Sequence, residues 1–359
     1  MMAFLDIGEM EFNDIREFIE FLEGDERVDR LPSNLQVVAT ISTLRTIYDF
    51  INNLKKHGFE IEEYHGKLLL ISKTINERKV PYYTFFDDRT NIHLFLTVAR
   101  KTDDIPRTLL DYMKQSGYIS NLWITPKIMR ELKDRLVEEY DDLLITYFSA
   151  KRLPNSDIPA EFRPDVIRGI QYRGDDGKKA LEEMEFYYGV LPKILEIRLP
   201  NGVSFRIDNK GIITLFRGSF GEVFKIIESV VGKLIKIKYA IEESSYTIHK
   251  VGINKQFSHA IQTPWSVALP SGLKIDDVPN FCRSLGEEEW DFTILDYMLL
   301  REETYFSARI IDNNNSTLFD IATTGESMDV FPVEQTVISS CIRFYEFLVE
   351  NVDSFATVG

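Results

Sequence analysis

Between Ile194 and Lys238 the chain specifies its local fold more tightly than anywhere else. Three short apolar runs, Ile194–Leu199, Val203–Ile207 and Ile212–Phe216, are separated by Asn201-Gly202 and by Asn209-Lys210-Gly211. Asn-Gly is a strong hairpin signal because both turn residues tolerate positive φ, and Gly211 supplies a left-handed position for the second turn. In the middle run Val203, Phe205 and Ile207 alternate with Ser204 and Arg206, which gives a strand one apolar and one polar face. From Phe220 to Val231 the period changes, and Val223, Phe224, Ile227, Val230 and Val231 fall on one helical face. An antiparallel sheet backed by a helix is the expected layer.

Upstream, strand-like and helix-like segments alternate. A helix is expected over residues 9–24, on the spacing of Phe12, Ile15, Phe18, Ile19 and Leu22. Leu35–Ile41 reads as a strand, and Ser42 or Thr43 as the cap of a helix ending at Gly58. Phe59–Tyr64 and Lys67–Ser72 form a hairpin about His65-Gly66, followed by strands at Tyr82–Phe86 and Ile92–Ala99. Asp103-Asp104 opens a helix with Pro106 in its first turn, Leu122–Ile124 is a short strand, Thr125-Pro126 opens another helix, and Leu143–Ala150 returns as a strand. Pro154, Pro159 and Pro164 mark a linker over 151–166. Beyond Lys238, strands are expected at Tyr246–Lys250, Trp265–Leu269, Thr304–Ile311 and Ser316–Ile321, and a helix over Val333–Val349. The expected class is therefore α+β. A mixed α/β-type domain over 1–150, with a mixed sheet, precedes an antiparallel-sheet-plus-helix domain over 167–359, which has a possible sub-boundary near 240 and a C-terminal helix.

At 359 residues, 44% of them hydrophobic, the chain has enough apolar area for more than one core. No apolar run approaches the roughly 18 residues needed to span a bilayer. Asp6 and Glu9 argue against a signal peptide. Neither Cys282 nor Cys341 has a partner at zinc-ligand spacing, so a reduced, cytoplasmic setting is expected, with no structural zinc and no cofactor. The net charge of −15 is uneven: −7 over residues 1–30, −12 over 240–359 and +4 between them. An acidic chain is poorly suited to broad duplex binding, which relies on many Lys and Arg contacts to phosphate.

The run Gly218-Ser219-Phe220-Gly221-Glu222-Val223 has the outline of a kinase phosphate loop, but Phe216 stands at the first glycine position. No His-Arg-Asp or Asp-Phe-Gly occurs, so the required context is missing. Ser219 and Glu222 instead have capping-box spacing. A helix start attracts anions, and Arg198, Arg206, Lys210 and Arg217 lie near it in sequence as candidates for anion or nucleic-acid binding. Asp165, Glu196 and Asp208, with Lys210, are the candidate metal set of a phosphodiesterase.

His57, His65, His93, His249 and His259 show no helical metal spacing; only a cross-strand pairing of His249 with His259 would join two of them. The pairs Asp87-Asp88, Asp103-Asp104, Asp141-Asp142 and Asp276-Asp277 sit at element boundaries, where Asp caps helices and closes turns. Glu287-Glu288-Glu289-Trp290 is a solvated acidic turn or an acidic anchor carrying an aromatic. The Rossmann, P-loop and nucleophile-elbow motifs are absent. The expected function is a non-enzymatic interaction or regulatory subunit that binds a protein partner, without membrane attachment. The alternative is a metal-dependent phosphodiesterase or nucleic-acid-binding protein acting through residues 194–238.

Overall fold

A computed structural model describes residues 4–24, 31–32, 34–89, 92–153, 158–164, 166–251, 257–300, 305–333 and 337–358. The chain divides into two compact units, Met1–Lys151 with Ala160–Gly232, and Arg152–Pro159 with Lys233–Gly359.

The first unit is built on one sheet. Its strands are β1 (Leu35–Ser42), β2 (Phe59–His65), β3 (Leu68–Ile75), β4 (Arg78–Phe86), β5 (Ile92–Thr97), β6 (Ile119–Asn121), β7 (Leu144–Lys151), β8 (Gly169–Arg173), β9 (Leu191–Arg198), β10 (Ser204–Asp208) and β11 (Ile212–Arg217). Among the described residues their order is β2-β3-β4-β5-β1-β11-β10-β9-β7-β8, with β6 paired to β1. The helices are α1 (Ile15–Glu23), α2 (Ile47–Lys56), α3 (Asp111–Ser116), α4 (Pro126–Glu139), α5 (Gly177–Tyr188) and the part of α6 (Phe220–Glu243) that precedes Lys233.

The α+β class is as expected, and the β9–β10–β11 meander forms where its turns predict. The sheet is not mixed: every strand pair in it is antiparallel. The helices do not serve as crossovers between parallel neighbours, because the strands pair through hairpins or with antiparallel partners distant in sequence. The stretch 151–166, read as a linker, runs between β7 and β8, which pair with each other. The compact units divide again between Gly232 and Lys233.

Several boundaries move for local reasons. Helix α1 begins at Ile15, because Asp14 accepts from Arg16 N at 2.8 Å and Glu17 reaches back to Asn13 N at 2.9 Å. Thr46, rather than Ser42 or Thr43, caps α2 by accepting from Asp49 N at 3.1 Å. Asp104 does not cap the following helix. Its carboxylate turns back to Arg100 N at 3.0 Å and pairs with Arg78, and Pro106–Leu110 opens as a wide π-turn ahead of α3. The short strand is Ile119–Asn121, facing Thr40–Ser42, while Leu122 and Ile124 each donate one bond, to Ala39 and Asn209. Phe50 and Leu54 of α2 and Tyr112 and Met113 of α3 pack on Val38, Leu69, Tyr82 and Phe95 in one core.

The second unit holds the rest of α6, the hairpin β12 (Ser245–Val251) and β13 (Phe257–Thr263), and a six-stranded sheet among the described residues. The sheet comprises β14 (Trp265–Ala268), β15 (Phe292–Leu300), β16 (Tyr305–Asp312), β17 (Thr317–Thr323), β18 (Ser327–Pro332) and β19 (Thr357–Val358), in the order β15-β16-β17-β18-β14-β19. Helices α7 (Val278–Leu285) and α8 (Ile338–Asn351) cover one face. There Phe281 meets Phe306 at 5.6 Å and Phe344 meets Phe319 at 5.1 Å between ring centroids. Strands β13, β15, β18 and β19 and helix α7 are additions to the sequence reading. Along β16 and β17, Phe306, Ala308, Ile310, Phe319 and Ile321 are buried under the helices, whereas Ser307, Arg309, Asp320 and Ala322 belong to the other face.

Candidate functional site

The four basic residues singled out in the sequence do not converge. Arg198 and Arg217 both pair in register with Ser204 and are exposed at one end of the meander. Lys210 lies in the turn at its other end. Arg206 sits mid-strand, held by Glu196 through Nε at 3.1 Å and Nη2 at 2.5 Å. Its guanidinium lies 5.1 Å from the Tyr147 ring and 5.8 Å from Phe216, and Arg173 lies 5.3 Å from the same tyrosine. Arg173, Tyr147, Glu196 and Arg206 thus face one another across β8, β7, β9 and β10. Arg173 was absent from the sequence-derived set because β8 itself carried no recognised strand pattern.

The candidate metal carboxylates are engaged elsewhere. Glu196 accepts from Thr146 Oγ1 at 3.0 Å in addition to Arg206. Asp208 closes the turn by accepting from Lys210 N and Ile212 N, both at 3.0 Å, and pairs with Lys101 Nζ at 2.8 Å. Asp165 lies outside the described residues. Among the described residues no three His, Cys, Asp or Glu side chains are grouped to hold a metal ion.

The start of α6 holds an anion of the chain's own. Glu23, the last residue of α1, accepts from Ser219 Oγ and from Gly221 N at 3.0 Å. A Cβ on Gly221 would come 2.3 Å from that carboxylate, so glycine permits the approach. Ser219 accepts from Glu222 N at 3.3 Å, which is half of the expected capping box. The other half is missing, because Glu222 binds Tyr140 at 3.1 Å and Lys225 at 2.8 Å. The positive end of the helix is thus neutralised from within.

Among the histidines, His93 is buried and stacked on Phe86 at 4.6 Å, and His65 lies between Met10 O at 3.2 Å and Glu63 at 3.1 Å. His249 and His259 occupy opposed positions in the β12–β13 register. Trp290 is buried and is no exposed anchor; its N–H closes the acidic turn onto Glu287 O at 3.0 Å. Cys282 and Cys341 form no disulfide, and burial pushes the Cys341 thiol up to about 12.

The feature that sequence reasoning missed is β15. It forms an edge of its sheet, and Leu295, Tyr297, Met298 and Leu300 are 54%, 60%, 49% and 42% exposed. An edge strand presents unpaired N–H and C=O groups, and proteins ordinarily blunt it with charge, shortness or a cover. The other edges of the two larger sheets follow that rule among the described residues, whereas the two-stranded β12–β13 sheet leaves both of its seven-residue strands as edges. Strand β2 carries Glu60, Glu62 and Glu63, β8 is five residues long and carries Arg173, and β19 has two residues. Strand β15 has nine residues and one charge, Asp296. Its face away from the helices borders a trough of about 470 Å³. Ser307 and Ala322 leave the trough shallow-floored, with Met298, Tyr305 and Phe331 around it. A bulge at Leu295 and apolar residues at adjacent positions remove the two-residue period that would have announced the strand.

Comparison with known proteins relates the chain to archaeal sequence. It is 31% identical over 351 residues to an uncharacterized protein of Archaeoglobus fulgidus, covering 95% of this chain and 94% of that protein. The AF_0896_M family middle domain matches residues 127–210. The chain belongs to this family. The matched stretch begins in α4 and reaches the turn after β10, so it contains Arg173, Tyr147, Glu196 and Arg206 but not β15.

Proposed function

We propose that the protein is a non-enzymatic interaction subunit that docks a protein partner by strand addition at β15. The observation that carries this reading is a nine-residue edge strand with four exposed apolar side chains and a single charge. Backbone groups on such an edge supply affinity, and alternate side chains supply specificity. A cytoplasmic setting is part of the proposal, and the two cysteines, which form no disulfide, support it. Among the described residues no helix is long and apolar enough to cross a membrane. The test is a photo-crosslinking residue placed at Leu295 in the source cell, with Tyr64 of β2 as an exposed control. A protein adduct formed at position 295 and not at 64 is expected; equal labelling, or none at 295, removes the reading.

A second reading, nucleic acid held on the β8–β11 face, draws support from Arg173, Tyr147, Arg206 and Phe216, which form one guanidinium–aromatic column. Salt-dependent retention of a single-stranded oligonucleotide, lost in Arg173→Glu, is its test. The phosphodiesterase reading gains nothing from Glu196 and Asp208, which are already held by cations.

A further inference from the structure

We propose that the strand received by β15 is an extended basic segment, alternating apolar residues with Lys or Arg, whose cations lie over Asp296. This inference rests on the docking role proposed above. Asp296, Arg309 and Asp320 stand opposite one another across β15, β16 and β17. Arg309 commits its fork to Asp320, with Nε at 2.8 Å and Nη2 at 2.9 Å. Asp296 accepts from Tyr297 N at 2.8 Å and, among the described residues, has no ion pair. The same face carries Asp329, which accepts from Ser266. Three carboxylates against one guanidinium make this face acidic, within a region of nineteen acidic and seven basic side chains over 240–359.

That charge selects among occupants. A second copy would bring another net −12 region against the first, and like charges at a docking edge suppress pairing. An incoming Lys or Arg beside Asp296 instead makes a cross-strand pair of opposite charge. Neighbouring positions of the incoming strand meet Tyr297 and Leu299 on one face and Met298 and Leu300 on the other. The trough behind Met298, floored by Ser307 and Ala322, has room for an apolar side chain. The best occupant is therefore apolar along most of its length and cationic at the Asp296 end.

A displayed library of random dodecapeptides, panned on the full-length protein, tests this. Parallel selections use wild type, Asp296→Lys, and Leu295→Lys with Met298→Lys. All three substituted side chains are exposed, and far-ultraviolet circular dichroism confirms that each variant is folded. Wild type is expected to enrich alternating apolar and basic sequences whose binding falls about tenfold in Asp296→Lys and weakens with salt, as exposed charge pairs do. The double Lys variant should retain none of them. Enriched sequences that lack basic residues yet still require β15 overturn the basic partner and leave docking standing. Basic sequences that bind all three proteins equally reflect general attraction to an acidic chain and overturn the inference. No enrichment, or enrichment wholly independent of β15, overturns the docking reading as well.

Discussion

Each unit sets an arginine against a carboxylate and an aromatic ring, but at different depths. In the second unit Arg343 is bound to Asp312 at 2.6 Å, with side chains 10% and 0% exposed, and its guanidinium lies 4.8 Å from the Phe292 ring. It also donates to the Trp290 carbonyl. Because Trp290 and Phe292 lead into β15, this pair ties α8 to the root of the exposed edge. In the first unit the Arg206–Glu196 pair is half-buried on a sheet face, and its sheet ends in charged or short edges. The contrast separates support from display. Where the ion pair is buried, it fixes a strand that is left open; where it is accessible, the neighbouring edges are blunted.

The largest effect should come from Arg343→Leu. Removing one partner of a buried pair leaves the other charge uncompensated, at a cost of about 3–5 kcal/mol. Denaturant unfolding followed by hydrogen exchange in α8 and β15 should show the second unit opening first. A loss no larger than that of Arg206→Leu would break the comparison. Next in size, Glu23→Ala should cost about 1–2 kcal/mol, because it leaves Ser219 and Gly221 N without their acceptor. An unchanged midpoint would mean that water replaces the carboxylate at the α6 start.

Arg206→Leu should cost about 1 kcal/mol or less, since solvent screens a partly exposed pair. A larger loss would show the guanidinium–aromatic column to be structural rather than displayed. Met298→Lys should change stability by no more than about 0.5 kcal/mol, as exposed substitutions usually do, while abolishing crosslinking from position 295. Equal retention of the adduct would place the partner elsewhere.

The smallest effect concerns pH. Burial, followed by the charges of Lys56 and Lys73, holds His57 below its ordinary value of 6.5. The folded state therefore resists a proton that the unfolded chain accepts, so stability falls as pH drops from 6.5 towards the lowered folded value. The slope should flatten in His57→Gln, as measured by urea midpoints across that window. An identical slope would exclude His57 as its source.

Much of the first unit was legible because its signals are local. Asn201-Gly202 and Gly211 prescribe the meander, His65-Gly66 the β2–β3 hairpin, and Thr125 the α4 cap, where its Oγ1 accepts from Ile128 N at 3.1 Å. Each depends on φ preferences or on bonds spanning a few residues. The start of α6 was only half legible: Ser219 was visible as a cap, but its other partner, Glu23, lies 196 positions away in sequence. No window around Ser219 contains it. Strand β15 was not legible, because apolar residues on both of its faces and a bulge at Leu295 erase the period.

The sequence by itself determined the α+β class, the meander, its turns and the acidic charge. Tertiary structure decided that β7 and β8 pair across 151–166, that Glu23 seats on α6, and that β15 ends its sheet as a nine-residue edge among the described residues. These outcomes depend on which distant segments meet, and neither local propensity nor hydrophobic period encodes that choice.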